Sequence, residues 1–163
     1  MIEMEKKYLV KEIPDLKNRT SHRICQGYLN IDSEPILRIR KYDENYFLTY
    51  KFKLDNTSIN GCTEYELPIT EKAYNNLLAK VDGKMVNKVR YEINIQNNLI
   101  AELDIFENEL KGLKIVEVEF SSEEEAKNFN PPDWFGKDVT KDKKYRNSSL
   151  SRNSNIESIL VEK

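Results

Sequence analysis

Apolar and polar residues alternate with a period of two along most of this chain. That is the pattern of β-strands whose two faces meet different surroundings. It predicts eight strands, at Ile2–Ile13, His22–Asp32, Pro35–Tyr42, Asn45–Lys53, Cys62–Ile69, Val86–Gln96, Leu99–Glu107 and Leu113–Phe120. The links Ser33-Glu34-Pro35, Asp43-Glu44-Asn45, Asn97-Asn98 and Lys111-Gly112 are short and carry turn residues, so consecutive strands pair antiparallel. Helical spacing fills the gaps. Thr70 caps a predicted segment running to about Val81, with Ala73, Leu77, Leu78 and Val81 on one face and Asp82-Gly83 as its stop. Ser121 or Ser122 opens a second short helix, Ser122 and Glu125 standing at capping-box spacing. A helical turn is predicted within Pro14–Ser21 and a last helix within Asp142–Leu160. The class is α+β, mainly β, and with no repeat, low-complexity tract or linker, residues 1–163 read as a single domain.

Composition narrows the function classes. The chain is 33% charged and 39% hydrophobic, enough to build a core without disulfides or a structural metal. Lys and Arg number 26 against 28 Asp and Glu, a net charge of −2 that argues against a basic nucleic-acid coat and against an acidic solvating tail. No apolar run approaches the ~18 residues of a membrane span, and the acidic, alternating N-terminal residues do not resemble a signal peptide. The expectation is a cytoplasmic protein with neither nucleic acid nor membrane as partner. Cys25 and Cys62 have no metal-ligand spacing and read as reduced thiols. The single histidine, His22, rules out a His-rich zinc site and reads as a surface residue.

The charged positions are not ordinary solvent decoration. Pairs of like charge stand two residues apart, on one face of their strand: Glu3/Glu5, Arg38/Arg40, Lys51/Lys53, Glu64/Glu66, Lys88/Arg90, Glu102/Asp104 and Glu117/Glu119, with Lys7 extending the first. Like charges about 6.6 Å apart repel, and a solvated face more often mixes signs. The repetition reads as two surfaces, one acidic and one basic. Eight antiparallel strands can close into a barrel, which removes their edges. With the charged face inward, the barrel is a polar tunnel with an apolar exterior, to be covered by the segment near residue 70, the C-terminal segment or a second copy in a homodimer. A plain sheet with a charged exterior is the alternative.

Clustered carboxylates bind hard cations such as Mg²⁺ or Mn²⁺, and clustered Arg and Lys bind phosphate oxygens. A lumen holding both suits a metal-bridged polyanion, a polyphosphate or a nucleoside triphosphate. The five glycines are scattered and match no phosphate-binding loop, so side chains must build the site. Aromatic and basic residues interleave in Tyr46–Lys53 as on a nucleic-acid stacking surface, but the charge balance and the many acids speak against that use.

Glu3-Met4-Glu5-Lys6-Lys7 matches the ExExK signature of the CYTH domain, the fold of the triphosphate tunnel metalloenzymes. The resemblance runs on through Arg23–Leu29, Leu37–Arg40, Tyr46–Lys51, Glu64-Tyr65-Glu66, Lys88–Tyr91, Glu102–Asp104, Val116–Phe120 and Trp134–Asn147, and is greatest to prokaryotic inorganic triphosphatases. It implies an eight-stranded antiparallel closed barrel that hydrolyses triphosphate substrates with divalent ions. By resemblance, Glu3, Glu5, Glu117 and Glu119 hold metal, with Glu102 and Asp104 as a third acidic strand. Lys7, Arg38, Arg40, Lys51, Lys88 and Arg90 line the phosphate side, with Lys53 on the same face, while Glu64 and Glu66 orient the bases. Tyr28 matches a tyrosine that pairs with the signature lysine, here Lys7. The expected chemistry uses two ions, one bridging phosphate oxygens and one activating water, with Glu3 or a neighbouring acid as proton acceptor and Arg40 among the charge-stabilising groups. Lys143, with Lys144 and Arg146, is expected at one tunnel end, and Trp134 as an anchor of the C-terminal segment. The expected reaction converts tripolyphosphate to pyrophosphate and phosphate. Adenylate cyclase, thiamine or nucleoside triphosphatase, and a non-catalytic polyphosphate-binding module are the alternatives.

Overall fold

The computed structural model describes residues 2–31, 34–53, 62–152 and 156–160. Asp32, the end of the second predicted strand, Ser33 of the first predicted turn, and the side chains of Glu3, Lys53 and Cys62 lie outside the described residues. Strands β1 (Ile2–Val10), β2 (Ser21–Tyr28), β3 (Ile36–Tyr42), β4 (Asn45–Lys53), β5 (Cys62–Pro68), β6 (Asp82–Asn94), β7 (Ile100–Phe106), β8 (Lys114–Phe120) and β9 (Phe135–Asp138) form one antiparallel sheet. Its order is β5-β4-β3-β2-β6-β7-β8-β1-β9, with an additional pairing of β5 to β1. All eight predicted strands are present, with shifted ends.

The expectation of eight fully closed strands needs correction on two counts. One edge of β1 pairs with β8 over Met4–Leu9, while the other meets β5, among the described residues, at Ile2↔Thr63 and Glu3↔Cys62. The described part of the seam that closes the ring is therefore short. The ninth strand, β9, takes the far part of the same edge at Tyr8↔Asp138 and Val10↔Phe135. Just beyond it, Val139 N donates to Lys7 O at 2.8 Å and Lys7 N donates to Thr140 Oγ1 at 3.0 Å, so this stretch of edge keeps its hydrogen bonds. β9 follows Pro131-Pro132 and is too short for a readable alternation. Its backbone approaches β1 closely at Gly136, where a Cβ would stand 3.0 Å from Leu9 O.

Thr70 caps α1 (Glu71–Leu78), its Oγ1 accepting from Ala73 N at 3.1 Å. The helix stops before Val81, and Asp82-Gly83, expected to end it, opens β6 instead, with Gly83 at φ 78°. Ser122 caps α2 (Glu123–Asn128), and the Glu125 carboxylate reaches back to Ser121 N at 2.8 Å. The helical turn predicted within Pro14–Ser21 is a loop, where Lys17 N bonds the Asp15 side chain and Asn18 sits at φ 60°. The last helix is two short ones, α3 (Asn147–Arg152) and α4 (Glu157–Leu160). No helix among the described residues is long and apolar enough to cross a membrane.

The apolar core lies outside the barrel wall. Tyr8, Ile93, Ala101, Leu103, Val116, Val118 and Phe120 from β1, β6, β7 and β8 pack under Phe129, Phe135, Trp134 and Ala126. Trp134 is the expected anchor: its carbonyl accepts from Lys11 N at 3.0 Å and its ring meets Phe135. The C-terminal segment does not cover this exterior as expected. Val139, Tyr145, Leu150, Ile156 and Ile159 instead pack with Leu9, Val86, Phe106, Leu113 and Ile115. By strand alternation those five share the face of Lys7, Lys88, Asp104 and Glu117, so one end of the lumen is filled with apolar side chains. The tunnel is a cup. On the opposite half, α1 sets Tyr74 against Tyr46, and Tyr50, Tyr65 and Leu67 remain exposed.

Leu103 is fully buried in the outer core, whereas Ile13 is 42% exposed. Leu103→Ala is expected to lower unfolding free energy by about 2–5 kcal/mol and Ile13→Ser to change it by about 0.5 kcal/mol or less. Urea denaturation measures both, and equal losses would contradict a packed apolar exterior.

Candidate functional site

Strand register turns the paired charges onto one inner wall. Across β2, β3, β4 and β5 the opposed residues are Tyr28↔Arg38, Arg38↔Thr49 and Thr49↔Glu66, with Gln26↔Arg40 and Lys51↔Glu64 beside them. Across β6, β7, β8 and β1 they are Arg90↔Asp104, Glu102↔Glu117, Lys7↔Glu117 and Glu5↔Glu119. The expected separation into one acidic and one basic surface is not found. Acids and bases interlock across the ladders: acidic β7 lies against basic β6, Glu64 of β5 against Lys51 of β4, and Lys7 of β1 against Glu117 of β8.

The β6–β7–β8–β1 wall carries a buried ion-pair network. Lys7 Nζ stands 2.7 Å from Glu117 Oε1 and 3.9 Å from Glu5. Arg90 donates from Nε to Asp104 Oδ1 at 2.7 Å, from Nη2 to Asp104 Oδ2 at 2.8 Å and to Glu117 at 3.1 Å, and from Nη1 to Glu102. Lys88 Nζ donates to Asp104 as well. Lys7, Lys88, Arg90, Asp104 and Glu117 are all buried. Asp104, expected among the metal ligands, thus has both oxygens occupied by cations.

These surroundings pull like groups apart. Burial alone lowers Lys7, but Glu117 and Glu5 outweigh it and hold its ammonium above the ordinary lysine value. At Lys88 burial wins over Asp104, leaving it at about 8. Burial raises Glu117, yet Lys7, Lys88 and Arg90 override it and hold the carboxyl well below the usual range. Glu102 is raised, first by burial and then by Glu117, Asp104 and Glu119, against the pull of Arg90.

The β2–β5 wall is held more loosely. Arg38 Nη2 bonds Thr49 Oγ1 and Glu64, each at 3.1 Å, but Glu66 is 3.7 Å from Arg38 and 3.6 Å from Arg40. Lys51 stands 3.4 Å from Glu64. The Nε atoms of Arg38 and Arg40 are buried and have no hydrogen-bond partner among the described residues. Tyr28 is enclosed: burial raises its phenol, and Arg38, Arg40, Lys7 and Lys51 pull it down. Arg40 falls to about 10, first through burial and then through Arg38 beside it and Arg90, on β6, which β2 alone separates from β3 in the ring.

The remaining expected residues fall as follows. Glu5 and Glu119 oppose one another on β1 and β8, and Glu3 is paired by its backbone to Cys62. Lys143 is exposed and lines a groove of about 250 Å³ with Ile31, Lys144, Ser148, Ser149 and Arg152, apart from the ion-paired set. His22 is not a plain surface residue: its ring is half-buried, with Nδ1 2.7 Å from Asp43, Nε2 3.5 Å from Glu92 and Tyr42 beside it. Gln26 and Thr49, both buried on the inner wall, were not anticipated. Their signal was the period-two face they share with Tyr28 and Lys51.

Among the described residues no three carboxylates form a ready metal cage. The donor chemistry nevertheless fits a hard divalent cation. Glu102 sits among Glu117, Asp104 and Glu119 with its charge opposed by theirs, and Glu5 faces Glu119 directly.

Comparison with known proteins agrees with this geometry. The family model for the CYTH domain matches residues 1–153. A curated relative from Nitrosomonas europaea, named inorganic triphosphatase, is 38% identical over 154 residues, covering 93% of this chain and 97% of its own. A second of that name, from Acetivibrio thermocellus, is 34% identical over 155 residues, covering 93% and 94%. A crystal structure of an inorganic triphosphatase superposes with a TM-score of 0.70 at 36% identity, covering 93% of this chain and 95% of that one. A ring of strands with charges turned inward, spanned almost end to end by that family model, makes this chain a member of the CYTH domain family.

Proposed function

We propose that this chain hydrolyses inorganic triphosphate to pyrophosphate and phosphate inside the cup, with the aid of divalent metal ions. The observation that carries the reading is the ring of Arg38, Arg40, Lys7 and Lys51 about the buried Tyr28, with both arginine Nε atoms lacking partners. Such a cradle matches a compact polyanion. Tyr28 is too enclosed to stack against a nucleobase, which favours a triphosphate without an organic group. The relatives named inorganic triphosphatase support the same substrate.

In this reading the two walls divide the work. Arg38, Arg40 and Lys51 receive the phosphate chain, because their carboxylate contacts of 3.1–3.7 Å to Glu64 and Glu66 are the looser set. Lys53 shares their strand face by sequence. Arg90 and Lys88 are anchored on Asp104, which fixes where their positive charge sits at neutral pH. Lys7 and Tyr28 approach the chain from opposite walls. Glu5, Glu102 and Glu119, with Glu117 and Glu3, supply carboxylate oxygens for the cations. When bound, such ions neutralise phosphate charge and make a coordinated water a stronger nucleophile. The side chains hold the anion in line for attack and offset charge spreading over the phosphoryl oxygens. Arg40, at about 10, remains cationic at neutral pH.

Glu119→Gln or Arg40→Ala is expected to reduce phosphate release from tripolyphosphate, with Mg²⁺ or Mn²⁺ present, by about 10²-fold or more. Near-native release in either variant removes that residue from the site. Lys88 adds a pH dependence. Its charge is present below about 8 and lost above it, so KM for tripolyphosphate is expected to rise between pH 7 and pH 9, roughly threefold or more. A flat KM across that window would show that the Lys88 charge does not contribute to binding.

A further inference from the structure

Tyr28 is buried, with Arg38 directly across the ladder, and the cations that pull its phenol down are Arg38, Arg40, Lys7 and Lys51. Every one is a hydrogen-bond donor when protonated. Its one hydrogen-bonding neighbour among the described residues is Gln26, whose Nε2 donates to the phenol oxygen at 3.0 Å. The Tyr28 oxygen is therefore supplied with donors, and its own proton has no acceptor among these groups. An anion lying among those cations is the acceptor this arrangement is suited to.

Gln26 is 0% exposed. Its Oε1 is buried and unpartnered, and so is Nε of Arg40, the residue directly across the ladder from it. One orphan is an acceptor and the other a donor. With Nε2 on Tyr28, Oε1 is the end of the amide left on the strand face that Gln26 shares with Arg40; the reversed amide would leave an NH₂ there, donor beside donor.

We propose that Gln26 is a positioning residue linking Arg40 to Tyr28, so that the Tyr28 hydroxyl presents its proton to a phosphoryl oxygen of the bound anion. The inference rests on the proposed triphosphatase reading and extends it. Gln26 touches neither substrate nor metal and acts through the phenol. As Arg40 is drawn toward the anion, its Nε–H donates to Gln26 Oε1. The amide, polarised by that bond, donates more strongly to the phenol oxygen, and the phenol O–H becomes a better donor in turn. No bond to phosphorus is made or broken by these residues.

The test is a double-mutant cycle of Gln26→Leu and Tyr28→Phe, with Gln26→Glu as an isosteric third variant. Gln26→Leu is expected to lower kcat for tripolyphosphate by about tenfold or more, with KM moving less than about threefold. In the Tyr28→Phe background it is expected to change kcat by less than about twofold. Gln26→Glu is expected to be at least as impaired as Gln26→Leu, because its carboxylate takes the Tyr28 proton away from the substrate. An equal loss in both backgrounds overturns the link, as does a Gln26→Leu enzyme of native kcat. The phenol is also read directly, by alkaline difference absorbance against Tyr28→Phe. Gln26→Leu is expected to raise the Tyr28 titration, since it removes a donor that favours the phenolate, and an unmoved titration overturns the proposal. That readout needs no turnover. Wild-type protein that releases no phosphate would refute the triphosphatase reading while the absorbance still decides the role of Gln26.

Discussion

A charge taken out of water must meet its opposite. Buried carboxylates and ammonium groups are costly unless paired and hydrogen-bonded, and removing one partner of such a pair costs about 3–5 kcal/mol. The inner wall obeys this rule. Lys7, Lys88 and Arg90 face Glu102, Asp104 and Glu117, three cations to three acids. A ring of strands with its charged face inward persists because each buried cation of this wall reaches an acid on an adjoining strand. Asp104 is the centre of that arrangement, 0% exposed and bound by two cations.

The same rule shapes the remainder of the molecule. Turning charge inward leaves the apolar faces of β1, β6, β7 and β8 outward, so the hydrophobic core forms between the wall and the α2-to-β9 segment. At one end the inward positions switch from charged to apolar: Leu9 follows Lys7, Val86 precedes Lys88, Phe106 follows Asp104 and Ile115 precedes Glu117. That switch lets the C-terminal segment fill the end with apolar contacts, where a continued charged lining would have required water. Fold and site therefore share one cause.

Much of this was legible in the chain. The like-charged pairs at period two identified the inward face of seven strands, and Thr70 and Ser122 marked their helices correctly. The order of strands around the ring was not legible. Alternation does not say that β1 lies against β8, so the pairing of Lys7 with Glu117 was not legible. Nor does it separate Asp104 from Glu119, two acids with the same spacing pattern. Only their neighbours distinguish them, Asp104 being saturated by Arg90 and Lys88. Gln26 and Thr49 escaped attention because they carry no charge, although both are buried on the working face. β9 escaped because a four-residue strand exists only where another strand offers it an edge.

A site that handles a polyanion must hold its cations apart from their own acids long enough to use them. The two walls meet this demand differently. Around Asp104 the contacts are short, and Arg90 is held far above the ordinary arginine value: burial works against its charge, but Asp104, Glu117 and Glu102 outweigh that. Around Glu66 the contacts lengthen to 3.6–3.7 Å, and Arg40 is lowered by burial and by Arg38 and Arg90. Repulsion thus collects on the arginines with unpaired Nε atoms. On the proposed reading a triphosphate chain would relieve it there without dismantling the network opposite. In that sense the loosely paired wall is the half suited to exchange, and the tightly paired wall is what keeps the barrel charged and folded while it does so.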